Sequence, residues 1–203
     1  MLTRWDEWYS SDNLRKDPRI LAASPSRSAE IAASAFLARG KQRLLDLACG
    51  VGRDTFHLEE SGLSVTGVDA SLNGVRVAHG IGSARQADAH FAVADARRLP
   101  FENGSFDGIY CFGLIHEFTG DRSQADVAIL LSEARRVLSD QGVFILTVLA
   151  GNPQDGLPAV QLFTRPMFEQ VLADWHPIEL KLFDDIGCTN RADYSIWYGL
   201  VEK

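Results

Sequence analysis

Short β-rich apolar runs alternate with stretches of helical period along most of this 203-residue chain, and that alternation leaves few folds open. A strand that returns to a parallel neighbour needs a crossover, so the pattern predicts an α/β fold: a mostly parallel sheet with helices on both faces. Seven strands are expected, at 43–48 (RLLDLA), 64–68 (SVTGV), 89–93 (AHFAV), 106–112 (FDGIYCF), 142–149 (GVFILTVL), 178–184 (IELKLFD) and 193–201 (DYSIWYGLV). Helices are expected near 26–39, 53–61, 71–82, 123–138 and 166–174. The last of these opens on Thr164-Arg165-Pro166, with proline in the first turn, where its missing N–H costs nothing. The final two strands are joined through DIGCTNRA, which holds turn residues and no room for a crossover helix. They should pair antiparallel as a C-terminal hairpin.

Composition then narrows the class of partner. The chain is 46% hydrophobic and 23% charged with a formal charge of −7, and no run of Lys and Arg offsets the acidic average. Affinity built on phosphate neutralisation is therefore not expected, which argues against nucleic acid. Cys49, Cys111 and Cys188 lie far apart without C-x-x-C spacing, so neither a zinc cage nor a disulfide framework is signalled and no metal is expected. The N-terminal MLTRWDEWYSSDNLRKDP lacks the apolar core of a signal peptide, and no stretch of about 18 apolar residues could span a bilayer. The expectation is a cytoplasmic monomer or homodimer of one domain, 1–203, with a helical cap or lid over 1–40 and the core over 41–203. Residues 150–161, AGNPQDGLPAVQ, read as a surface loop and a possible second lid.

In an open α/β sheet the ligand lies at the carboxyl ends of the strands, where the strand order reverses. The first strand breaks there in LLDLACGVGRDT, residues 44–55. Gly50 and Gly52 allow a sharp turn and a close approach, and the helix that follows aims free N–H groups at whatever is bound. A dinucleotide fingerprint would carry a third glycine, and Thr55 stands in its place. Three acids sit at the strand ends. Asp46 precedes the glycines; Asp69 ends the second strand, placed either to accept from two vicinal ribose hydroxyls or to cap the next helix. Asp95 follows the third strand, placed either to accept from an adenine amine or to serve as a turn residue.

Gly50, Gly52, Asp69 and Asp95, with the terminal hairpin, resemble the class I S-adenosylmethionine-dependent methyltransferases. The resemblance runs through LLDLACGVGRDT, VTGVDAS, VADARRLPFENGSFDGIYCFGLIHEF and EARRVLSDQGVFILTVL, and more weakly through the hairpin. It implies a Rossmann-like seven-stranded sheet of order 3-2-1-4-5-7-6 with strand seven antiparallel. One departure is Ala48, where the commoner pattern has glycine; a methyl group there is expected to be tolerated. The resemblance implies S-adenosylmethionine as cofactor and S-adenosylhomocysteine as product. That donor has no pyrophosphate, so the third glycine is not needed. Asp46 suits the cationic groups of the cofactor; the helix N-terminus and Arg53 suit its carboxylate, although Arg53 equally suits a solvent-facing helix start.

By the same resemblance, Ala48, Ala70 and Ala96 flank the cofactor, and the end of the fourth strand, Cys111 to Glu117, lines the pocket. His116 and Glu117 then lie near the transferred methyl, and His116 is the candidate base, with a structural role as its alternative. Trp5, Trp8 and Tyr9 can share one helical face, either packing on the sheet edge or folding over the cofactor. The start resembles, loosely, the tellurite-resistance-type and thiopurine-type branches, where such a segment is a lid and aromatic faces gain a cation–π contact with the sulfonium. The expected reaction is in-line transfer of a methyl group to an O, N or S nucleophile of a small molecule. Acceptor contacts are expected from the N-terminus, the 150–161 loop, and Arg191, Tyr194 and Trp197 of the hairpin. Two alternatives stay open: a non-catalytic S-adenosylmethionine-binding protein, and an NAD-dependent dehydrogenase.

Overall fold

The structure is a computed structural model that describes residues 2–16, 21, 24–119, 123–155, 160–186 and 193–203. Three helices come first: α1 (Leu2–Trp8), α2 (Ser11–Lys16) and α3 (Arg27–Leu37). Strands and helices then alternate as β1 (Arg43–Leu47), α4 (Arg53–Glu60), β2 (Ser64–Asp69), α5 (Leu72–Arg85), β3 (His90–Val93) and β4 (Phe106–Cys111). The remainder is α6 (Ser123–Val137), β5 (Leu138–Leu149), α7 (Arg165–Val171), β6 (His176–Ile186) and β7 (Asp193–Glu202). A 3₁₀ turn, Ile115–Glu117, follows β4.

The seven strands form one sheet in the order β3-β2-β1-β4-β5-β7-β6, parallel except for β7, which runs antiparallel to both β5 and β6. The inner strands are apolar because both of their faces are covered, as parallel strands require. In β5, Phe144, Leu146 and Val148 join one core layer with Leu130 and Ala134 of α6 and Phe168 of α7. Their alternates Val143 and Ile145 join the opposite layer with Ala29, Ala32 and Phe36 of α3. The period-2 alternation of side chains thus splits a continuous apolar run between two helix layers.

Element ends follow local chemistry. Ser26 caps α3 by accepting from the Ala29 N–H, and Ser71 caps α5 by accepting from the Gly74 N–H. Strand β5 starts at Leu138, earlier than expected, because α6 runs directly into it. The polar Ser139-Asp140-Gln141 stretch is taken up by a register shift against β4 and by a left-handed Gln141, φ 59°. Strand β6 is longer than expected at both ends; Pro177 is accommodated at an irregularity in its pairing with β7 on the sheet edge. The hairpin turn over 187–192, with Cys188 and Arg191, and residues 156–159 of the 150–161 loop lie outside the described residues. The reversal of strand order falls between β1 and β4, and the carboxyl ends of β1 to β4 open together at one edge of the sheet, beneath α1.

Candidate active site

A cavity of about 510 Å³ lies at that edge. Its wall is laid down in sequence order: Ala48 after β1, Asp69 and Ala70 at the end of β2, Asp95 and Ala96 after β3, and Phe112 and Glu117 after β4. Trp5 and Tyr9 close it from the N-terminal side. A second hollow of about 50 Å³ adjoins it, lined by Asp46, Arg53 and Asp54, and the two share Tyr9, Ala48 and Phe112.

The strand-end acids stand in three different electrostatic states. Asp46 is buried, and its side-chain partner is the Thr55 hydroxyl at 2.5 Å. Burial pushes its pKa up to about 7, against the pull of Thr55 and of the Arg53 charge. Among the described residues no cation lies within ion-pair distance of it. Asp69 accepts from the Gly50 N–H and the Ser71 N–H, both at 2.8 Å. Burial raises its pKa while those N–H groups oppose the rise. Each carboxylate oxygen keeps a further lone pair for a ligand hydroxyl. Asp95 is held by Arg97, whose Nε lies 3.0 Å from Oδ1 and whose Nη2 lies 2.7 Å from Oδ2; those hydrogen bonds lower its pKa. Arg97 reaches on to Asp126 of α6 at 2.9 Å, tying the loop after β3 to the helix across the cavity.

The glycine turn has its own local causes. Gly50 takes φ 57°, and Ala48 takes φ 69°, a left-handed conformation in which a Cβ is strained; this is the physical reason glycine suits that position. Gly52, φ 84°, is the N-cap of α4, and a Cβ on it would stand 2.8 Å from the Phe56 ring and 3.0 Å from the Phe91 ring. It provides the tight helix–sheet packing that Thr55 does not. Neither Gly50 nor Gly52 lines the cavity; Gly50 contributes its N–H to Asp69. Arg53 is not a solvent-facing helix start. Its side chain is largely covered, in an ion pair with Asp54 at 2.9 Å, and stacks on Phe112 at 5.2 Å. Burial alone would raise the Asp54 pKa, but Arg53 and the N–H and hydroxyl of Ser26 outweigh it.

The turn after β4 divides the two residues expected near the transferred methyl. Glu117 lines the cavity; His116 lies behind the wall, its ring against Gly113. The His116 Nδ1 accepts from the Leu149 N–H at 3.4 Å, and burial, with the charge of Arg4, lowers its pKa to about 4. The ring is therefore neutral with its proton on Nε2. Burial raises the pKa of Glu117, opposed by the Arg4 guanidinium and the Trp5 indole N–H. Cys111 is fully buried in the core with its thiol pushed well above the ordinary range, and is not brought to the cavity. The strand ends there, and Phe112 is the residue that turns to the ligand side. Trp197 donates to the Phe163 carbonyl at 3.0 Å, while Arg191 and the Tyr194 side chain lie outside the described residues. No group of acids, cysteines and histidines among the described residues could hold a metal ion, and no described helix is long and apolar enough to cross a membrane.

Residues that the sequence did not single out complete the site. Arg4 pairs with Glu117, Asp6 accepts from the Ser71 hydroxyl and the Asn73 N–H, and Gly74 lies against the Tyr9 ring. Each contact joins positions far apart in the chain, and Arg4 and Glu117 are separated by 113 residues. Local spacing carries no signal for them.

A sheet of this order, with an acid-lined crevice where the order reverses, defines a Rossmann-like methyltransferase architecture. Residues 45–146 match the family model described as a methyltransferase domain, and the chain belongs to that family. It is 33% identical over 137 residues to a demethylmenaquinone methyltransferase of Beutenbergia cavernae, covering 67% of this chain and 52% of the relative. The chain spans about half the length of the curated relatives it matches. Two solved structures share the fold. One, from work on conversion of a disulfide bond into a thioacetal group during echinomycin biosynthesis, has a TM-score of 0.72 at 24% identity, covering 89% of this chain and 82% of that one. The other is the 1,6-didemethyltoxoflavin-N1-methyltransferase of Burkholderia thailandensis, solved with bound 1,6-didemethyltoxoflavin and S-adenosylhomocysteine, with a TM-score of 0.66 at 20% identity over 87% of this chain and 77% of that one.

Proposed function

We propose that this protein binds S-adenosylmethionine in the cavity and transfers its methyl group to an oxygen, nitrogen or sulfur nucleophile of a small molecule. The observation that carries the reading is Asp46, a buried carboxylate beside the glycine turn with a raised pKa and no cation within ion-pair distance among the described residues. An amino-acid ammonium would complete it electrostatically. A dinucleotide would instead lay a pyrophosphate on that turn and face the same carboxylate with like charge, which disfavours the NAD alternative.

When bound, the cofactor supplies an electrophilic methyl on a sulfonium. The residues of the chain bind, orient and shield. Asp69 receives ribose hydroxyls, and Asp95, positioned by Arg97, borders the base with Ala70 and Ala96. Asp46 and Arg53 take the charged amino-acid end, and the Trp5 and Tyr9 rings shut out water and face positive charge favourably. Alignment is the main lever in such a transfer, worth up to about 7–11 kcal/mol in well-oriented systems. Where the acceptor must lose a proton, Glu117 rather than His116 takes it. Glu117 lines the cavity, whereas the His116 ring lies behind the wall, its Nδ1 taken by the Leu149 N–H and its basicity lowered by burial. The free buried thiols Cys49 and Cys111 suit a reducing cytoplasm.

Thermal unfolding tests the reading. Ligand at 100 times its dissociation constant adds about 2.7 kcal/mol, which for a chain of this size raises the midpoint by roughly 5–10 °C. S-adenosylmethionine and S-adenosylhomocysteine should each produce that rise and NAD none; the opposite pattern would make the protein a dehydrogenase. A labelled-methyl screen against small phenols, amines and thiols then separates an enzyme from a protein that only binds the donor.

A further inference from the structure

Five donors converge on the carboxylate of Asp54. Its Oδ1 accepts from the Ser26 N–H and from Arg53 Nε, both at 2.9 Å. Its Oδ2 accepts from the Ser26 hydroxyl at 2.8 Å, from Arg53 Nη2 at 3.0 Å and from the Tyr110 hydroxyl at 3.2 Å. The Ser28 hydroxyl completes the cluster, 3.0 Å from the Tyr110 oxygen. Tyr110 and Asp54 are both buried, and a carboxylate offers about four lone-pair sites. Although Asp54 lines the small hollow with Asp46 and Arg53, its acceptor capacity is spent inside the protein. Its part in the hollow is to hold Arg53.

The fourth strand supplies both supports for that arrangement. Tyr110 and Phe112 are two residues apart and pack with the α3 layer, as period-2 alternation requires. Tyr110 donates to Asp54, while Phe112 carries the Arg53 guanidinium on its ring at 5.2 Å. The guanidinium is thus fixed by a carboxylate at its edge and by an aromatic ring at its face. An arginine has many rotamers, and ordering one during binding costs affinity. Here the fold itself orders it. We propose that Tyr110, acting through Asp54, is a positioning residue for Arg53, and that the buried hydroxyl cluster sets a preference for a nucleoside carrying a whole amino-acid end over one that lacks it. This inference rests on the cofactor reading given above.

The Tyr110 hydroxyl, rather than its ring, carries this role. Of the donors to Asp54, two belong to Ser26, which precedes α3, and two to Arg53, the group being held. Among the described residues, Tyr110 is the donor that ties the carboxylate to the central sheet. Without its hydroxyl, Asp54 shifts toward Ser26 and takes the guanidinium with it. Asp69, Asp95 and the strand ends that border the nucleoside stay in place. The loss therefore falls on ligands that reach Arg53.

The test is calorimetric titration of the full chain with two probes. S-adenosylhomocysteine has the amino-acid end; 5′-methylthioadenosine keeps the nucleoside and the sulfur but lacks it. Tyr110→Phe should weaken binding of the first about tenfold, the weight of one hydrogen bond to a charged group, and that of the second by less than about twofold. Ser28→Ala, which removes the outer hydroxyl alone, should show the same selectivity with a loss of about threefold. In an Arg53→Met background, Tyr110→Phe should have no further effect on S-adenosylhomocysteine, because the two changes act through one group. Equal loss on both probes would make Tyr110 structural only, and the same loss in the Arg53→Met background would put its action elsewhere; either result overturns the inference. A wild-type chain that binds both probes equally would also overturn it while leaving the nucleoside site intact. Failure of the wild type to bind either probe would overturn the cofactor reading instead.

Discussion

Asp46 sets a pH dependence whose sign follows from its environment. Its carboxyl titrates near 7 in the fold and near 3.8 in the unfolded chain. Between those values the folded state holds a proton that the unfolded state has lost, so the contribution of this group to stability falls as pH rises from about 4 to about 7. An ammonium beside it reverses the preference and lowers its pKa. Binding of S-adenosylhomocysteine at pH 6 is therefore expected to release close to one proton, and affinity should climb with pH up to about 7 and then level. Calorimetry in two buffers of different ionisation enthalpy measures the release, and Asp46→Asn should abolish it. No release from the wild type would mean that the amino-acid end does not reach Asp46. The acid itself was legible in the sequence, placed before the glycine turn. Its titration state was not, because burial comes from side chains brought in by other strands. Ala48 is similar: the residue is visible, but its left-handed backbone is imposed by the turn into α4 and contradicts the usual preference of alanine.

At the scale of elements, the start of α3 shows how the N-terminal segment is joined to the far side of the sheet. Asp185 of β6 accepts from the Arg27 N–H at 2.7 Å and from the Ser28 N–H at 2.8 Å, while the Ser26 hydroxyl takes the Ala29 N–H. The first-turn donors of the helix are thereby satisfied by residues from two places in the chain. Asp185→Ala leaves two N–H groups without that acceptor, and a loss of about 1–3 kcal/mol is expected. For a chain of this length, that lowers the calorimetric midpoint by roughly 3–10 °C. A change below about 1 °C would show that other groups replace the carboxylate. The strands and main helices were readable to within a few residues, because each is a local apolar pattern. The fastening of α1 was not, since Arg4, Asp6 and Tyr9 acquire meaning only from Glu117, Ser71 and the glycines that the sheet brings beneath them. The resemblance implies lining from Cys111 to Glu117; Cys111 instead belongs to the core and the lining starts at Phe112, because successive side chains at a strand end point to opposite faces.

Across the whole molecule, the antiparallel strand has the greatest structural weight for its position in the chain. β7 lies between β5 and β6, and Ile196, Tyr198, Leu200 and Val201 on it are buried in the two core layers and around them. The family model ends at residue 146, before β6 and β7 begin. A chain cut after residue 192 keeps the whole of that matched region, yet β6 then has no partner strand and β5 is left as an exposed apolar edge. Its far-ultraviolet circular dichroism is expected to melt without a sigmoidal transition, whereas the uncut chain melts cooperatively; a retained transition would show that β1 to β5 suffice. The sheet order itself followed from the resemblance to the family and from the short join between the last two strands, so the global plan was more legible than the contacts that finish the site.

That interleaving also bears on biosynthesis. A ribosome makes β7 after both strands it must separate, so β5 and β6 leave the exit tunnel as neighbours in time that must not become neighbours in hydrogen bonding. Until the last segment emerges, the nascent protein presents an uncovered sticky border, and a holding chaperone at that moment would protect it from its own earlier strand and from other chains.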